Sequence, residues 1–455
     1  MVNSISMDSR LPRRSFLQAT GLALSAVGSA NPITLGAQSS SSPGPSPSGD
    51  TIRFAIIGVG MEGSGVLKSA IELPGVKCVG AADLYDGRHT LARQITGDPN
   101  LSTTRNYHEL LNRKDIDCIL AAVPDFWHKQ VVVDACNAGK DIYCEKPMSH
   151  TAAEGFEMIE AAQRNNRIVQ IGSQRVSSAL CSKARELYGK GAIGDVEMVE
   201  LTYGRNSPTG AWIYPPPPDL SLDNLSWDIW LKDTPKIPLS PDRFARWRCW
   251  REYGTGVGGD LMVHLISGML FTLGWNEAPK SASALGGIFR WKDGRNMPDT
   301  HAVLFDYHGI PVYVRLDQGS ATPETARFLG PKGVLEATGT TLRLNAQTGK
   351  DEEPCYYADS FPAKMHAEYV QQWEREHPEH YGHEPITWDV VYEGHDWDDL
   401  KPHLSVFFQA TKTRQSVAED AIFGNHAALA CHMANESYFQ KKQVFWNEDT
   451  RTITT

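Results

Sequence analysis

The sequence has few cysteines, and none of them is arranged as a metal or redox motif. Eight cysteines are scattered over 455 residues, and no two of them form a C-x-x-C pair. This excludes a zinc or thiol redox centre built on such a pair. Because most of the cysteines lie in apolar runs, we expect buried free thiols.

An excess of positive charge is also missing. With 44 Lys and Arg against 54 Asp and Glu, the formal net charge is −10, so we expect no nucleic-acid partner. The apolar run at residues 22–27 is too short to span a bilayer, and we expect no stable membrane insertion. A composition with 41% hydrophobic and 22% charged residues is typical of a globular protein, and the length predicts two domains.

The first fifty residues have the pattern of an export signal. Arg13 and Arg14 precede the apolar run 22–27 and the small residues 28–30, which resembles a twin-arginine signal, and a Ser/Pro/Gly-rich linker follows. The alternative is a chance arginine pair in a tail. We exclude residues 1–50 from the fold and expect an exported or periplasmic protein. Since this route carries folded proteins, a cofactor loaded before export would have to be held tightly.

Residues 52–63 combine a short apolar run with a glycine pattern. Residues 52–57 read as a buried parallel strand, and Gly58, Gly60 and Gly63 follow with G-x-G-x-x-G spacing. The first glycine permits a tight turn, the second lets the backbone approach a pyrophosphate, and the third lets a helix pack on the strand. The alternative is a plain strand–turn–helix whose glycines serve packing only.

An acidic residue follows the next apolar run. Val76–Ala82 reads as a second strand, and Asp83 stands directly after it. A carboxylate at this place hydrogen-bonds the ribose hydroxyls of NAD and repels a 2′-phosphate. The sequence therefore predicts NAD rather than NADP, although a neighbouring arginine such as Arg88 would weaken that preference.

Strand and helix patterns continue to alternate up to residue 173, which predicts a doubly wound parallel sheet. Ligands bind beyond the carboxyl ends of the strands in such sheets. Asp125, His128, Glu145 and Lys146 all follow predicted strands. We therefore predict an α/β protein in which residues 51–173 form a Rossmann domain. Residues 174–455 are expected to form an α+β domain with an open, mostly antiparallel sheet and C-terminal helices.

The glycine-rich turn, a PDFWH turn and an E-K-P turn, in this order, resemble the Gfo/Idh/MocA oxidoreductase family. The resemblance implies a nicotinamide cofactor, a sugar or polyol substrate and a homo-oligomer. It places Lys146 beside the nicotinamide, in contact with the reacting hydroxyl. The cofactor contacts that it implies are Gly58, Gly60, Met61, Glu62, Gly63, Asp83, Pro124, His128 and Glu145.

The same resemblance singles out Asp260 and His264. Residues four apart share one face of an α-helix, so the imidazole would take the alcohol proton while the carboxylate steadies it. The alternatives are an ordinary helix-dipole partner and a buried core histidine. Residues 261–263 depart from the small residue that many members carry between the two. Such a pair also ligates metals, but further ligands are not evident, and we expect no metal.

Two stretches leave their function open. Residues 206–257 are long, proline-rich and aromatic, which is typical of a functional loop. Within them, Arg246, Arg248 and Arg251 would meet an acidic or polyhydroxy substrate, or merely pair with carboxylates. Residues 350–401 are rich in His and acids, and a solvated excursion explains them better than a metal cluster because no ligand spacing recurs.

These patterns support three functions. The first is an exported oxidoreductase that transfers hydride between a sugar or polyol CH–OH group and tightly bound NAD. The second is a redox-neutral glycosidase, lyase or epimerase that oxidises and then re-reduces its substrate on retained NAD. The third is a non-catalytic carbohydrate-binding protein on an inherited fold.

Overall fold

The computed structural model describes residue 49 and residues 51–347, 356–377, 387–394 and 399–455. These residues fall within one unit of the fold, Pro43–Thr455. The predicted export signal lies outside the described residues, as do residues 378–386 and 395–398 of the histidine-rich tail.

The first sheet has six strands, and their sequences are short and nearly continuously apolar, as strands buried on both faces require. The order is β3-β2-β1-β4-β5-β6, and every neighbouring pair is parallel, so the predicted doubly wound sheet is confirmed. The strands are β1 Ile52–Ile57, β2 Val76–Ala82, β3 Thr103–Thr104, β4 Cys118–Ala121, β5 Asp141–Cys144 and β6 Val169–Ile171.

Helices connect these strands and cover both faces of the sheet. The last of them starts at a capping box between Thr151 and Glu154, as the sequence predicts. The first starts at Met61, directly after the glycine turn. The helices are α1 Met61–Ile71, α2 Asp86–Thr96, α3 His108–Leu111, α4 Asp125–Asn137 and α5 Ala152–Arg164.

The second sheet has ten strands in the order β14-β13-β12-β11-β7-β10-β9-β8-β15-β16. Its pairs are antiparallel except β7 with β10, so the predicted open, mostly antiparallel sheet is confirmed. The strands are β7 Met198–Gly204, β8 Ser281–Gly287, β9 Thr300–Tyr307, β10 Ile310–Asp317, β11 Thr322–Gly330, β12 Gly333–Thr338, β13 Thr341–Ala346, β14 Asp389–Glu393, β15 Val444–Asn447 and β16 Thr452–Thr454.

The remaining helices are α6 Ala179–Gly189, α7 Trp227–Leu231, α8 Pro241–Ala245, α9 Val263–Leu273, α10 Ala363–Glu376, α11 Leu400–Thr413 and α12 Ala421–Gln440. Short 3₁₀ turns span Gln174–Ser177, Trp247–Cys249 and Tyr356–Ser360, and a π turn, Gly258–Met262, runs into α9. Within the part of the chain that the structure describes, no helix is both long and apolar enough to cross a membrane.

The C-terminal helices join the two sheets. Phe408 of α11 packs on Phe54 of β1 with ring centroids 5.5 Å apart, so α11 covers the first sheet. Helix α12 contacts both α5 and β8. The two sheets therefore share one continuous packing arrangement, although a linear boundary at residue 173 separates their strands.

Seven cysteines lie among the described residues, and all of them are free thiols. Six are buried and Cys181 is half-buried, which agrees with the expectation of buried thiols. Cys355 lies outside the described residues.

Candidate active site

A cavity of about 670 Å³ opens beyond the carboxyl ends of β1, β2, β4 and β5. The strand order reverses between β1 and β4, and this switch point is where open α/β sheets bind their ligands. Eight residues predicted from the sequence line the cavity: Gly58, Gly60, Met61, Glu62, Asp83, Pro124, Glu145 and Lys146.

The glycine turn has the geometry that the three predicted roles require. Gly58 has a φ of +87°, and a Cβ there would lie 2.4 Å from the Ala122 carbonyl oxygen. A Cβ on Gly63 would lie 2.1 Å from the Gly58 carbonyl oxygen, so this glycine permits the close packing of α1 on the turn. A Cβ on Gly60 would meet no atom within 4 Å. A phosphate therefore has room to approach the backbone at Gly60, next to the start of α1.

Asp83 ties the end of β2 to the glycine turn. Its Oδ2 accepts a hydrogen bond from the Val59 N–H at 2.8 Å, and its Oδ1 accepts one from the Tyr85 N–H at 3.0 Å. Each oxygen keeps a further acceptor position for a ribose hydroxyl. The residues present therefore fit the adenosine half of a dinucleotide, with Asp83 at its ribose.

Glu145 and Lys146 follow β5 at the other end of the cavity. Burial, together with the nearby charge of Glu62, raises the pKa of Glu145 to about 8. The Tyr143 hydroxyl donates to one Glu145 oxygen at 3.0 Å, and the Lys146 N–H donates to the other at 3.2 Å. Glu145 is therefore held as a mostly neutral carboxyl group at neutral pH.

The side chain of Lys146 crosses from the first domain to the π turn before α9. Its Nζ donates to Oδ1 of Asp260 at 2.8 Å and to the Asp260 carbonyl oxygen at 3.0 Å. Arg248 Nε donates to the same Oδ1 at 2.8 Å, and Trp212 Nε1 donates to Oδ2 at 3.1 Å. Burial alone would raise the pKa of Asp260, but the charges of Lys146 and Arg248 outweigh burial and hold it far below its ordinary value.

Among the described residues Asp260 makes no hydrogen bond with His264, although its charge acts to raise the pKa of that imidazole. The hydrogen bonds of the Asp260 carboxylate come from Lys146, Arg248 and Trp212. The Nδ1 atom of His264 is buried without a hydrogen-bond partner among the described residues. Asp260 is therefore the anchor of Lys146 and Arg248, two of the cations that line the large cavity.

The expectation that His264 and Lys146 open onto one cavity is wrong. His264 lines a second cavity of about 40 Å³, together with Arg175 and Glu324, and is absent from the lining of the large cavity. Hydrogen bonds in a π turn run from residue i to i+5, so a spacing of four no longer stacks two side chains as in an α-helix. Burial, and then the charges of Lys146 and Arg175, hold the pKa of His264 well below its ordinary range.

The position of His128 differs from the one that we expected from the sequence. It was expected to contact the cofactor, but its side chain is fully buried and absent from the cavity lining. Its two ring nitrogens lie 2.7 Å and 2.9 Å from the carbonyl oxygens of Pro147 and Val123. His128 therefore braces the turns that carry Pro124 and Lys146, and acts on the cavity through them.

The three arginines of the proline-rich stretch lie in different surroundings in the structure. Arg251 lies at the surface, paired with Glu436 and stacked on Phe439. Arg246 pairs with Asp242 and donates to the Tyr214 carbonyl oxygen at 3.0 Å. Arg248 alone of the three lines the large cavity. Spacing along the chain gives no signal that would distinguish it from its neighbours.

The proline-rich loop closes the cavity from the side of the second domain. Pro215–Pro218 line the same cavity as Asp83. Beyond them, Asp219 accepts a hydrogen bond from the Tyr85 hydroxyl, and the Asp86 N–H donates to the Asn224 carbonyl oxygen at 2.9 Å. A loop of the second domain is therefore latched to the end of β2, next to the predicted adenosine position.

The described residues also include no cluster of three or more His, Cys, Asp or Glu side chains that could hold a metal ion.

Comparisons with known proteins concern the first domain and the fold. Residues 52–173 match the model of a family described as "Oxidoreductase family, NAD-binding Rossmann fold". This confirms the predicted resemblance over the first domain, together with the prediction of a nicotinamide dinucleotide as the cofactor of that fold.

Two curated relatives match the N-terminal part of the chain. Inositol 2-dehydrogenase of Salmonella typhimurium is 34% identical over 151 residues, which are 33% of this chain and 45% of the relative. Alpha-N-acetylgalactosaminidase of Shewanella oneidensis is 30% identical over 174 residues, which are 34% of this chain and 38% of the relative. The match therefore spans less than half the length of each relative.

Solved structures match over most of the fold. A levoglucosan dehydrogenase in complex with NADH aligns with a TM-score of 0.63 and 17% identity, over 87% of this chain and 99% of that one. An aldose–aldose oxidoreductase from Caulobacter crescentus complexed with glycerol aligns with a TM-score of 0.62 and 17% identity, with the same coverage. At such identities the likeness establishes the two-sheet fold.

Proposed function

We propose, on the premise that residues 52–173 form a NAD-binding Rossmann domain of the Gfo/Idh/MocA oxidoreductase family, that the protein transfers hydride between a sugar or polyol carbinol and bound NAD. One observation carries this proposal. A single cavity has the glycine turn and Asp83 at one end and Lys146 at the other. The nicotinamide ring of NAD, when bound, supplies the hydride acceptor or donor.

Lys146 is the residue that we place at the reacting oxygen. Its Nζ already donates to Asp260, and the remaining N–H donor is available to a substrate oxygen. In the direction of carbonyl reduction, this ammonium hydrogen-bonds the oxygen and gives it a proton from Nζ; in the direction of oxidation, Nζ takes the proton back. Asp260 holds the amine in place through two hydrogen bonds.

His264 receives no role in this scheme, because it lines the other cavity. Glu145 and Glu62 lie on the wall next to Lys146 and bound the space in which a sugar ring would sit. Tyr214 and Trp247 of the proline-rich stretch line the same cavity, and their rings suit the apolar faces of a sugar.

We also propose NAD rather than NADP. The Asp83 carboxylate stands where it would accept hydrogen bonds from the ribose hydroxyls and repel a 2′-phosphate. Arg88 lines the cavity next to it and would partly offset that repulsion. We therefore expect a preference for NAD that becomes stronger when Arg88 is replaced by a neutral residue.

Tight retention of the cofactor and export belong to the same proposal. The latch between Tyr85 and Asp219 favours slow release of a bound dinucleotide. Slow release is what an enzyme exported in the folded state would need, since it meets no nicotinamide pool outside the cytoplasm. Replacing Arg13 and Arg14 by lysine should keep a reporter fusion inside the cell, and unchanged export of that variant would contradict the proposed signal.

A homo-oligomer fits the outer face of the second sheet. Leu285, Leu304 and Phe445 lie on β8, β9 and β15 with 80%, 49% and 46% of their surfaces exposed. An exposed apolar patch of this kind marks an interaction surface. We propose that a second copy of the chain covers it. Light scattering on the wild type and on Leu304→Glu tests this, and a monomeric wild type would contradict it.

A second function is favoured by the relative named alpha-N-acetylgalactosaminidase. In that alternative, NAD oxidises one sugar carbon, the neighbouring proton becomes acidic, and a bond is cleaved before the sugar is reduced again. The absorbance of the reduced-nicotinamide band then changes only transiently, and no reduced NAD accumulates.

The test is a pair of measurements on the purified protein. Mass spectrometry of the denatured supernatant should find NAD, and a sugar panel should then change the absorbance of the reduced-nicotinamide band. A lasting change supports the oxidoreductase, and a transient change with a cleaved product supports the alternative. Failure of the protein to retain or bind any dinucleotide would refute both.

A further inference from the structure

Arg248 has a free hydrogen-bonding edge inside the cavity. Its Nε donates to Asp260, and its Cζ lies 4.2 Å from the centre of the Trp247 ring, so the guanidinium plane is held from two sides. Its Nη1 and Nη2 make no hydrogen bond with any residue that the structure describes, although the side chain is only 14% exposed. The guanidinium therefore presents two donors to the cavity in a fixed orientation.

The two cations at this edge share one hydrogen-bonded carboxylate. Lys146 and Arg248 are two cations, and both pair with the single carboxylate of Asp260. Asp125 also lines the cavity, but one of its oxygens is already bonded to Thr255 through both the backbone N–H and the hydroxyl. Glu62 lies on the glycine turn and lines the same cavity. No carboxylate among the described residues hydrogen-bonds Nη1 or Nη2 of Arg248.

A structural role for Arg248 accounts for only part of this geometry. Lys146 and Trp212 already hold both oxygens of Asp260. A residue needed only as a third partner of Asp260 has no reason to direct two further donors into a cavity. A guanidinium edge with two parallel donors matches a carboxylate in shape and charge, and this match gives a bidentate pair.

We propose that the substrate is a sugar acid, a uronic or aldonic acid, whose carboxylate binds Nη1 and Nη2 of Arg248 while Lys146 meets the reacting oxygen. The inference deepens the proposed function and rests on it for the identity of the reacting carbon. One guanidinium edge, with the carboxylates of Asp260 and Asp125 close by, fits a monoanion better than the dianion of a sugar phosphate. A neutral sugar would leave the Arg248 donors unpaired inside the cavity, which is costly.

The test is calorimetric binding to the purified protein in its NAD-bound form, with D-glucuronate, D-glucose and glucose 6-phosphate as probes. Charged hydrogen bonds are strong enough that glucuronate should bind about tenfold or more tighter than glucose. Arg248→Met should weaken glucuronate binding by about 10- to 100-fold and leave glucose binding nearly unchanged. Arg248→Lys keeps the charge and should recover only part of the loss, because the paired donors are gone.

Arg251→Met is the matched control, because Arg251 is a surface arginine of the same stretch and should change none of these affinities. Thermal unfolding of each variant shows whether it folds, and Arg248→Lys serves if Arg248→Met does not. Equal affinities for glucuronate and glucose, or an Arg248→Lys variant as good as wild type, would overturn the proposal. Preference for glucose 6-phosphate would overturn it in favour of a phosphorylated sugar.

The outcome is separable from that of the proposed function. If the protein binds no dinucleotide, the proposed oxidoreductase fails, and glucuronate is titrated into the dinucleotide-free protein and its Arg248 variants instead. If hydride transfer occurs with neutral sugars, while glucuronate binds no more tightly than glucose and Arg248→Met does not weaken its binding, the oxidoreductase stands and the sugar-acid site is wrong.

Discussion

Gly60 and Gly63 belong to one turn but have different surroundings, and this difference gives a paired prediction. Gly60→Ala should fold normally, because a Cβ there meets no atom within 4 Å and its φ is −69°. It should weaken NAD binding by about tenfold or more, since the methyl group occupies the approach of the phosphate. Gly63→Ala should instead lower the free energy of unfolding by about 1–3 kcal/mol, because its Cβ collides with the Gly58 carbonyl.

Urea unfolding and NAD titration of both variants check this pair. A Gly60→Ala protein that binds NAD as tightly as the wild type would show that no phosphate lies at that position.

Glu145 predicts a dependence of stability on pH. Its pKa is raised from 4.5 to about 8 in the folded protein. Between these values the folded state keeps a proton that the unfolded chain has released. The contribution of this group to the free energy of unfolding is therefore present below the unfolded pKa, falls by about 1.4 kcal/mol per pH unit, and has been lost once the pH has risen through the folded pKa.

Glu145→Gln lacks this titration. The difference in unfolding free energy between wild type and variant should follow that slope from about pH 5 to about pH 8 and then level off. Urea unfolding over this range measures it, and a difference independent of pH would mean that the carboxyl is ionised in the fold.

Substitutions of Lys146 and of His264 should reduce the rate of hydride transfer to different extents. Lys146→Met should reduce hydride transfer by about 100-fold or more, because no proton is then supplied at the reacting oxygen. His264→Gln should cost less than about tenfold, because its side chain lines the other cavity. Single-turnover absorbance with the best sugar of a panel gives both rates. Equal losses in the two variants would restore His264 as the base.

At the level of residues, the sequence was informative where a single local rule applies. Gly58, Gly60, Asp83 and Lys146 follow strand ends and line one cavity, whereas Gly63 packs α1 on the turn and does not line it. The position of His264 depends on a π turn that no residue pattern predicts. The free edge of Arg248 depends on Trp247 and on Asp260, twelve residues further along, so it could not be predicted from the chain alone.

At the level of elements, the loop between β7 and α7 carries a prediction about release of the cofactor. Tyr85→Phe removes the hydrogen bond to Asp219 that latches this loop to the first domain. The rate of NADH dissociation should rise by about fivefold to tenfold, because one hydrogen bond to a charged group is lost. Stopped-flow fluorescence measures this rate.

Tyr107→Phe is the control for the latch. Tyr107 also lines the cavity, but its hydroxyl donates to Asp134 at 2.6 Å within the first domain. If both variants release NADH equally faster, the effect comes from the loss of a hydroxyl near the cavity and not from the loop.

The elements themselves were predictable where burial is uniform. Strands β1 and β2 have the bounds that their apolar runs predict, and α5 starts at a capping box. The two-residue strand β3 has no such run and is formed only by pairing with the end of β2. The parallel pair of β7 with β10 joins segments far apart in the chain, and local periodicity contains no information about it.

At the level of the whole molecule, the fold class followed from the order of strands and helices, because parallel strands require crossover helices. The packing of α11 against β1 could not be predicted from the sequence, because the apolar residues of α11 do not indicate which sheet they contact. The resulting arrangement brings Lys146 of the first domain against Asp260 of the second. The cavity therefore exists only when both parts of the chain are folded together.

The most direct test of the central claim is a crystal structure of the protein with NADH. We predict density for the dinucleotide in the large cavity, with the adenosine ribose hydrogen-bonded to Asp83, the pyrophosphate at Gly60 and the nicotinamide ring beside Lys146. A nicotinamide ring far from Lys146, or a dinucleotide bound elsewhere on the protein, would contradict the account.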